Sequence, residues 1–284
     1  MSKRSYLIGL IGAGIQASRS PFMHEQAGRR QGFDYSYRLI DLTTLGLGVG
    51  ALPDLVAQAE REGFDGLNIT HPCKQAVIPL LDELSDEARE IGAVNTVVLR
   101  DGRRIGHNTD WWGFIEGLRS QLPDAPTDRL LQLGAGGAGS ATAYALLKIG
   151  AGRLLIFDTH PERAQGLAAK LNRRFGEGRV SYTPDPVASA AVVQGIVQAT
   201  SIGQVGYPGL PIPAEALIPE HWVAEIIYFP LETEFLRTAR ALGCRAADGA
   251  GMGVFQAVGA FEHFTGVRPD SAAMKRDFIA AGAR

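Results

Sequence analysis

Lys74 and Asp110 are the two side chains in this sequence whose settings suit proton transfer, and Gly134 to Gly139 is the segment that suits a phosphate. Lys74 follows the run Gly66-Leu67-Asn68-Ile69-Thr70-His71-Pro72-Cys73, which reads as a strand turning into a helix with Pro72 in its first turn. A cation there faces the positive end of the helix dipole, which disfavours its charged form and suits a general acid or base. Taken alone, the segment is equally compatible with a solvated surface lysine. Asp110 closes Gly106-His107-Asn108-Thr109-Asp110, ahead of the apolar helical start Trp111-Trp112-Gly113-Phe114, and by itself is most simply an N-cap. The pair is worth more than its members. Reducing a ketone takes a hydride from a nicotinamide and a proton from a nearby donor, and an aspartate beside a lysine positions the amine while holding its charge.

Two segments match the strand-then-G-x-G-x-x-G/A pattern, in which glycines let the backbone approach a pyrophosphate at a helix N-terminus. The first, Gly12-Ala13-Gly14-Ile15-Gln16-Ala17, follows the strand-like Tyr6 to Ile11, but Ser18-Arg19-Ser20-Pro21 delays the helix until Pro21. A pyrophosphate there would lack aligned amides. The second, Gly134-Ala135-Gly136-Gly137-Ala138-Gly139, follows Leu130 to Leu133 and runs directly into the helix-forming stretch Ser140 to Leu147. The next strand, Leu154 to Phe157, ends on Asp158, at the offset of about twenty residues where an acidic side chain reaches a ribose 2′-hydroxyl. The second loop is therefore assigned the dinucleotide, against the plainer reading of a tight strand-helix turn with Asp158 as a cap. A carboxylate accepts hydrogen bonds from the ribose hydroxyls of NAD and repels the 2′-phosphate of NADP, and no arginine follows until Arg163. NAD is favoured over NADP.

The elements that must position these groups alternate along the chain. Apolar runs at Leu7 to Ile11, Tyr35 to Ile40, Gly66 to Thr70, Val94 to Leu99, Leu130 to Leu133, Leu154 to Phe157, Gly195 to Ala199 and Val223 to Tyr228 are separated by helical patterns. This is the rhythm of an α/β protein with open, largely parallel sheets. The expected organisation is a first domain over 1–108, a Rossmann-like domain over 109–247, and C-terminal helices over 248–284 that pack back on one of the two sheets. With 284 residues, 45% hydrophobic and 20% charged, the chain is globular material for two domains. Its net charge of -2 gives no reason to propose nucleic acid or an anionic membrane as partner. Two cysteines make no disulfide framework, the start lacks a secretory apolar core, and glycines and prolines interrupt the long uncharged stretches. A cytoplasmic protein without a transmembrane segment is expected, and no metal site is proposed.

Assembled, the segments resemble those of shikimate dehydrogenases. The motifs Ser18-x-Ser20-Pro21, Gly66-x-Asn68-Ile69-Thr70-x-Pro72-x-Lys74, Ala93-Val94-Asn95-Thr96, Asn108-Thr109-Asp110 and Gly134-Ala135-Gly136-Gly137-Ala138 occur in the family's order. Ala199-Thr200-Ser201-x-Gly203, Tyr228-x-Pro230-x-x-Thr233 and Gly249-x-Gly251-Met252-x-x-x-Gln256 continue the match over nearly the whole chain. The resemblance implies an N-terminal substrate domain to which the C-terminal helices return, and a cofactor domain. It implies that Ser18 and Ser20 bind the carboxylate of a small polyhydroxy carboxylate substrate, that Asn68, Thr70, Asn95, Tyr228 and Gln256 meet the rest of it, and that Lys74 and Asp110 form the catalytic pair. For the cofactor it implies Gly134, Ala135, Gly136, Gly137, Ala138 and Asp158, with Thr200, Ile226 and Gly249. Where NADP-using members read Asn-Arg-Thr-x-x-Arg, this chain has Asp158-Thr159-His160-Pro161-Glu162-Arg163, so the first arginine is missing. Glu225 stands where Asp is usual, Gln204 where Met is usual and Cys73 where an aromatic is common, closer to the NAD-linked quinate/shikimate branch. Ser20, where that branch often has Thr, keeps shikimate ahead of quinate. An aminoshikimate-type substrate and a non-catalytic NAD-binding sensor on the same fold remain the alternatives.

Overall fold

The computed structural model describes residues 4–282, and the chain divides into two compact units. One comprises the residues up to Thr109 with those from Val254 onward, and the other is Asp110–Gly253. The first unit is built on a six-stranded sheet of β1 (Ser5–Gly12), β2 (Asp34–Asp41), β3 (Gly66–Ile69), β4 (Glu83–Leu84), β5 (Thr96–Arg100) and β6 (Arg103–His107), in the order β2-β1-β3-β5-β6-β4. β1 runs parallel to both β2 and β3, while β5 is antiparallel to β3 and β6. The antiparallel part follows from the two residues that join β5 to β6. Asp101 and Gly102 both adopt positive φ, 54° and 68°, as a two-residue primed hairpin turn requires. The β6 strand does not show as an apolar run because Arg103-Arg104 opens it.

Along β2, Tyr35 and Tyr37 alternate inward from exposed neighbours. Their rings meet His24 on the helix Ser20–Arg30 and Phe261 on the helix Ala250–Thr265, with Tyr35 and Phe261 stacked at 5.2 Å. The last helix, Ser271–Ala281, is tied to the helix Ser20–Arg30 by a bidentate pair, Arg30 donating to both carboxylate oxygens of Asp277 at 2.6 and 2.7 Å. The helix carrying Phe261 thus packs on this sheet, and the last helix packs on the helix Ser20–Arg30.

His24 is 1% exposed, and burial pushes its pKa from 6.5 down to about 3. Its Nδ1 lies 3.1 Å from the Tyr35 hydroxyl. In the pH interval between these values the unfolded chain takes up a proton that the folded chain refuses, so stability is lost as pH falls through that interval. The urea midpoint is expected to drop from about pH 7 to about pH 4, and to drop less in His24→Phe, which has no site for the proton. His107 and His221 are shifted down by burial as well and sustain a residual slope. Equal slopes in parent and variant would clear His24 of any part in acid sensitivity.

The second unit carries β7 (Arg129–Leu133), β8 (Arg153–Phe157), β9 (Val180–Tyr182), β10 (Gly195–Gln198), β11 (Trp222–Glu225) and β12 (Arg245–Ala247) in the order β12-β11-β10-β7-β8-β9. Every pairing is parallel. Counted within the sheet this is 3-2-1-4-5-6, the doubly wound order of a Rossmann-like domain, with its topological switch point between β7 and β10. Ligands of such sheets bind beyond the carboxyl ends of the strands at that point. Among the described residues, no helix is long and apolar enough to cross a membrane.

Candidate active site

In the second unit, the glycine loop leaves β7 at the switch point. Gly134 has φ +102°, and a Cβ there would meet the Ala199 carbonyl oxygen, so only glycine lets this turn lie against the end of β10. The helix Gly137–Lys148 starts directly behind it with no side chain capping its first turn and no acidic residue in it. Uncapped amides at the positive end of a twelve-residue helix are a ready site for phosphate oxygens. Asp158 emerges from the end of β8 beside this loop, its Oδ2 accepting from the Ala135 amide at 2.7 Å and its Oδ1 from the His160 amide at 2.9 Å. Loop, helix and acid therefore fit a dinucleotide, and the acid is only half-buried, open to a ribose.

Three polar residues shape this rim: Gln132 and Gln198, which the motifs do not include, and Glu225, which the sequence marks only as a departure from the usual Asp. Gln132 is the penultimate residue of β7, fully buried, and its amide donates to the carbonyls of Gly134 and Gly139, both at 2.8 Å, fixing the glycine loop from beneath. Gln198, the last residue of β10, accepts from the Thr200 amide and donates to the Ile202 carbonyl. Glu225, the last residue of β11, accepts from the amides of Ile226 and Ile227 and from the Thr233 hydroxyl, each at 3.0 Å. Burial pushes its carboxyl up to about 8, against the pull of those three donors. Gly249 lies against the Ile226–Ile227 backbone, where a Cβ would strike the Ile227 carbonyl. Tyr228 follows on the same loop, its side chain exposed. The signal available in the sequence was one buried polar residue at or next to the end of each otherwise apolar run.

The other glycine loop, Gly12 to Ala17, is excluded as a phosphate site by a resident anion. Asp41, at the end of β2, accepts from the Gly14 amide at 2.8 Å, the Ile15 amide at 3.1 Å and the Gln16 side-chain amide at 3.0 Å. The donors a pyrophosphate would need are already taken. The helix beyond it begins at Ser20 with Arg19 at the N-cap position and no side-chain cap, so neither Ser18 nor Ser20 caps it. The Ser18 hydroxyl instead accepts from the Ser20 amide at 3.3 Å.

One expectation is corrected around Lys74. No α-helix follows Thr70-His71. The chain makes turns through residues 71–77 and then a single 3-10 turn, Ile78–Leu80. Six residues between Pro72 and Pro79 are too few to repay helix nucleation, and a proline disfavours helical geometry in the residue before it. The helix-dipole argument for Lys74 falls with the helix. Half-buried Lys74 is pinned through its carbonyl, which accepts from the Val94 amide at 2.9 Å, next to Asn95.

Around that turn the first unit builds a buried polar network. Tyr37 donates to Asn68 Oδ1 at 2.9 Å, and Asn68 Nδ2 donates to the Asn95 carbonyl and to Thr96 Oγ1, both at 3.2 Å. Asn95 Nδ2 donates to Thr109 Oγ1 at 2.9 Å, the Thr109 amide returns to Asn95 Oδ1 at 2.8 Å, and the Thr109 hydroxyl reaches the Gln256 carbonyl at 2.9 Å. Asn68, Asn95 and Gln256 are thereby brought together. Both protons of the Asn68 amide are spent on protein acceptors, so what it can offer a ligand is a lone pair on Oδ1. Thr70, half-buried, continues from β3 just beyond Asn68. Asp110, 4% exposed, opens the helix Asp110–Gln121 immediately after Thr109 and belongs to the second unit, Lys74 to the first.

The chain matches known proteins over almost its full length. Residues 10–97 match the family model described as shikimate dehydrogenase substrate binding domain. A shikimate dehydrogenase (NADP(+)) of Streptomyces avermitilis is 56% identical over 98% of this chain and 96% of its own. The chain belongs to the shikimate dehydrogenase family. A quinate/shikimate dehydrogenase (NAD(+)) of Corynebacterium efficiens is 46% identical over 98% of this chain and 99% of its own. The solved quinate dehydrogenase from Corynebacterium glutamicum in complex with NAD superposes with a TM-score of 0.91, at 44% identity, covering 98% of this chain and 100% of that one. The family therefore includes near relatives named for either cofactor, and the choice in this chain has to be argued from its own residues.

Proposed function

We propose that this chain is an NAD-dependent shikimate dehydrogenase, interconverting shikimate and 3-dehydroshikimate, with quinate as a second substrate. The observation that carries the reading is Asp158 beside an uncapped helix N-terminus in one unit, combined with a lysine turn pinned beside a buried amide and hydroxyl network in the other. A carboxylate at the end of β8, with no arginine at 159–162, favours a free ribose 2′-hydroxyl over a phosphate.

In this reading the substrate's partners come mainly from the first unit and the dinucleotide's from the second. Gly136, Gly137 and Ala138 offer their amides to the pyrophosphate, Gly134 and Ala135 shape the turn that lies against it, Asp158 takes the ribose, and Thr200, Ile226 and Gly249 the nicotinamide half. Ser18 and Ser20 donate to the substrate carboxylate, while Asn68, Thr70, Asn95, Tyr228 and Gln256 surround its hydroxyls. Bound nicotinamide supplies the hydride acceptor. Lys74 Nζ takes the hydroxyl proton as the ring carbon gives up its hydride, and returns it when the ketone is reduced. Asp110 orients that amine and shares its charge. Two free, buried cysteines accord with a cytoplasmic setting.

The test is NADH formation with shikimate, then quinate, then an amino analogue of shikimate. Turnover of shikimate with NAD, and a lower rate with NADP, is the expected result. Bound NAD with no turnover on any of the three would replace the enzyme by a sensor on the same fold.

A further inference from the structure

We propose that Asp41 is a positioning residue for the substrate carboxylate, holding the Gly12–Ala17 turn so that Ser18 and Ser20, which follow it, stand at a fixed place. The inference rests on the reading of those serines as carboxylate donors. The register of the sheet puts Asp41 opposite Gly12, so the carboxylate at the end of β2 emerges beside the turn that leaves β1. It is 3% exposed and gathers five donors. Besides Gly14, Ile15 and Gln16, the Thr43 amide and the Thr44 hydroxyl reach it at 3.0 and 3.3 Å. Burial alone would raise its pKa. The hydrogen bonds from Gln16 and the amides of Gly14, Thr43 and Ile15 reverse this and hold it below the usual carboxylate range.

The same turn is fixed on its other side. The Ala13 amide donates to the His71 carbonyl at 3.0 Å, and Gly12 has no Cβ because one would strike the Thr70 methyl. At its far end, Arg19 is 9% exposed, donates to the Phe278 carbonyl at 3.1 Å and lies over the Phe278 ring at 4.4 Å. Ser18 and Ser20 flank that arginine. Because Ser18 Oγ already accepts from the Ser20 amide, its proton remains for an outside acceptor. The glycines that resemble a dinucleotide loop therefore do a different job, letting a tight turn bridge the end of β2 and the Thr70–His71 strand end.

The experiment is Asp41→Asn, in which an NH2 group must face part of a ring of donors. The Michaelis constant for shikimate is expected to rise about tenfold or more, with kcat and the constant for NAD changed less than about twofold. The control ligand is the shikimate derivative whose carboxylate is replaced by hydroxymethyl, used as substrate or competitive inhibitor. Parent and variant should handle it alike, because the misplaced serines no longer face a charge. Equal losses on both ligands, or none on shikimate, would overturn the proposal. Should Asp41→Asn fail to fold, Gln16→Ala removes one donor from the turn and is expected to raise the shikimate constant severalfold with an unchanged melting temperature; an unchanged constant there counts against Asp41. Ser18→Ala and Ser20→Ala separate the two ideas. If they raise the shikimate constant while Asp41→Asn does not, only the positioning role falls, and if they do not, the carboxylate assignment falls with it.

Discussion

Lys74→Ala should lower kcat roughly a thousandfold while leaving the NAD dissociation constant within about twofold, since removing a positioned acid-base group costs 10²–10⁴-fold in the chemical step alone. The dissociation of effects follows from where the groups lie. Lys74 belongs to the first unit, in a turn anchored by the Val94 amide, whereas the loop and acid assigned to the dinucleotide belong to the second. Loss of the amine therefore leaves the pyrophosphate amides and Asp158 intact. Lys74→Arg should recover little, because a guanidinium keeps its proton at working pH and cannot relay it. Single-turnover NADH formation and NAD binding by fluorescence would be measured side by side. A nearly normal rate in Lys74→Ala would remove the lysine from the mechanism, and a parallel collapse of NAD binding would make it a binding residue instead.

The correction at Lys74 shows which inferences a sequence carries. The segment whose parts constrain one another is legible: β7, the glycine turn, the helix behind it and Asp158 at the end of β8 all lie in 30 consecutive residues, and each constrains the next. The turn after Thr70 was misread because Pro72 was weighed as a helix starter without counting the few residues left before Pro79. The hairpin turn Asp101-Gly102 escapes the pattern of apolar runs because the arginines opening β6 hide the strand it leads into. What stayed out of reach was contact between distant segments. Asp41 looks like the end of a strand until the parallel register sets it opposite Gly12, and Asn68 looks like a free amide until Tyr37, Asn95 and Thr96 close around it. The buried Gln132, Gln198 and Glu225 stand between these cases. Each was visible as a polar residue in an apolar strand, yet only the sheet order shows that all three serve loops on the same edge.

Asp158→Ala is expected to weaken NAD by about 10- to 100-fold, the worth of one or two hydrogen bonds to an ionised acceptor, and to weaken NADP far less or strengthen it. Two terms push in the same direction. The carboxylate that would accept from the ribose hydroxyls is lost, and so is the negative charge that opposes a 2′-phosphate. A third term acts on both cofactors equally: Asp158 also accepts from the Ala135 amide, and without it that donor turns to water or to the ligand. The ratio of the two affinities isolates the specificity effect from this shared change. Adding Thr159→Arg to the substitution supplies the cation missing from 159–162 and should carry the ratio past unity, because an arginine pairs with a phosphate bidentately where a ribose hydroxyl offers it little. The comparison matters because relatives of similar identity are named for opposite cofactors, so overall likeness does not decide the case. An unchanged NAD-to-NADP ratio in Asp158→Ala would mean that the preference resides elsewhere on the second unit, and that the carboxylate at the end of β8 serves only to hold the glycine loop and His160, the residue before the helix Pro161–Phe175.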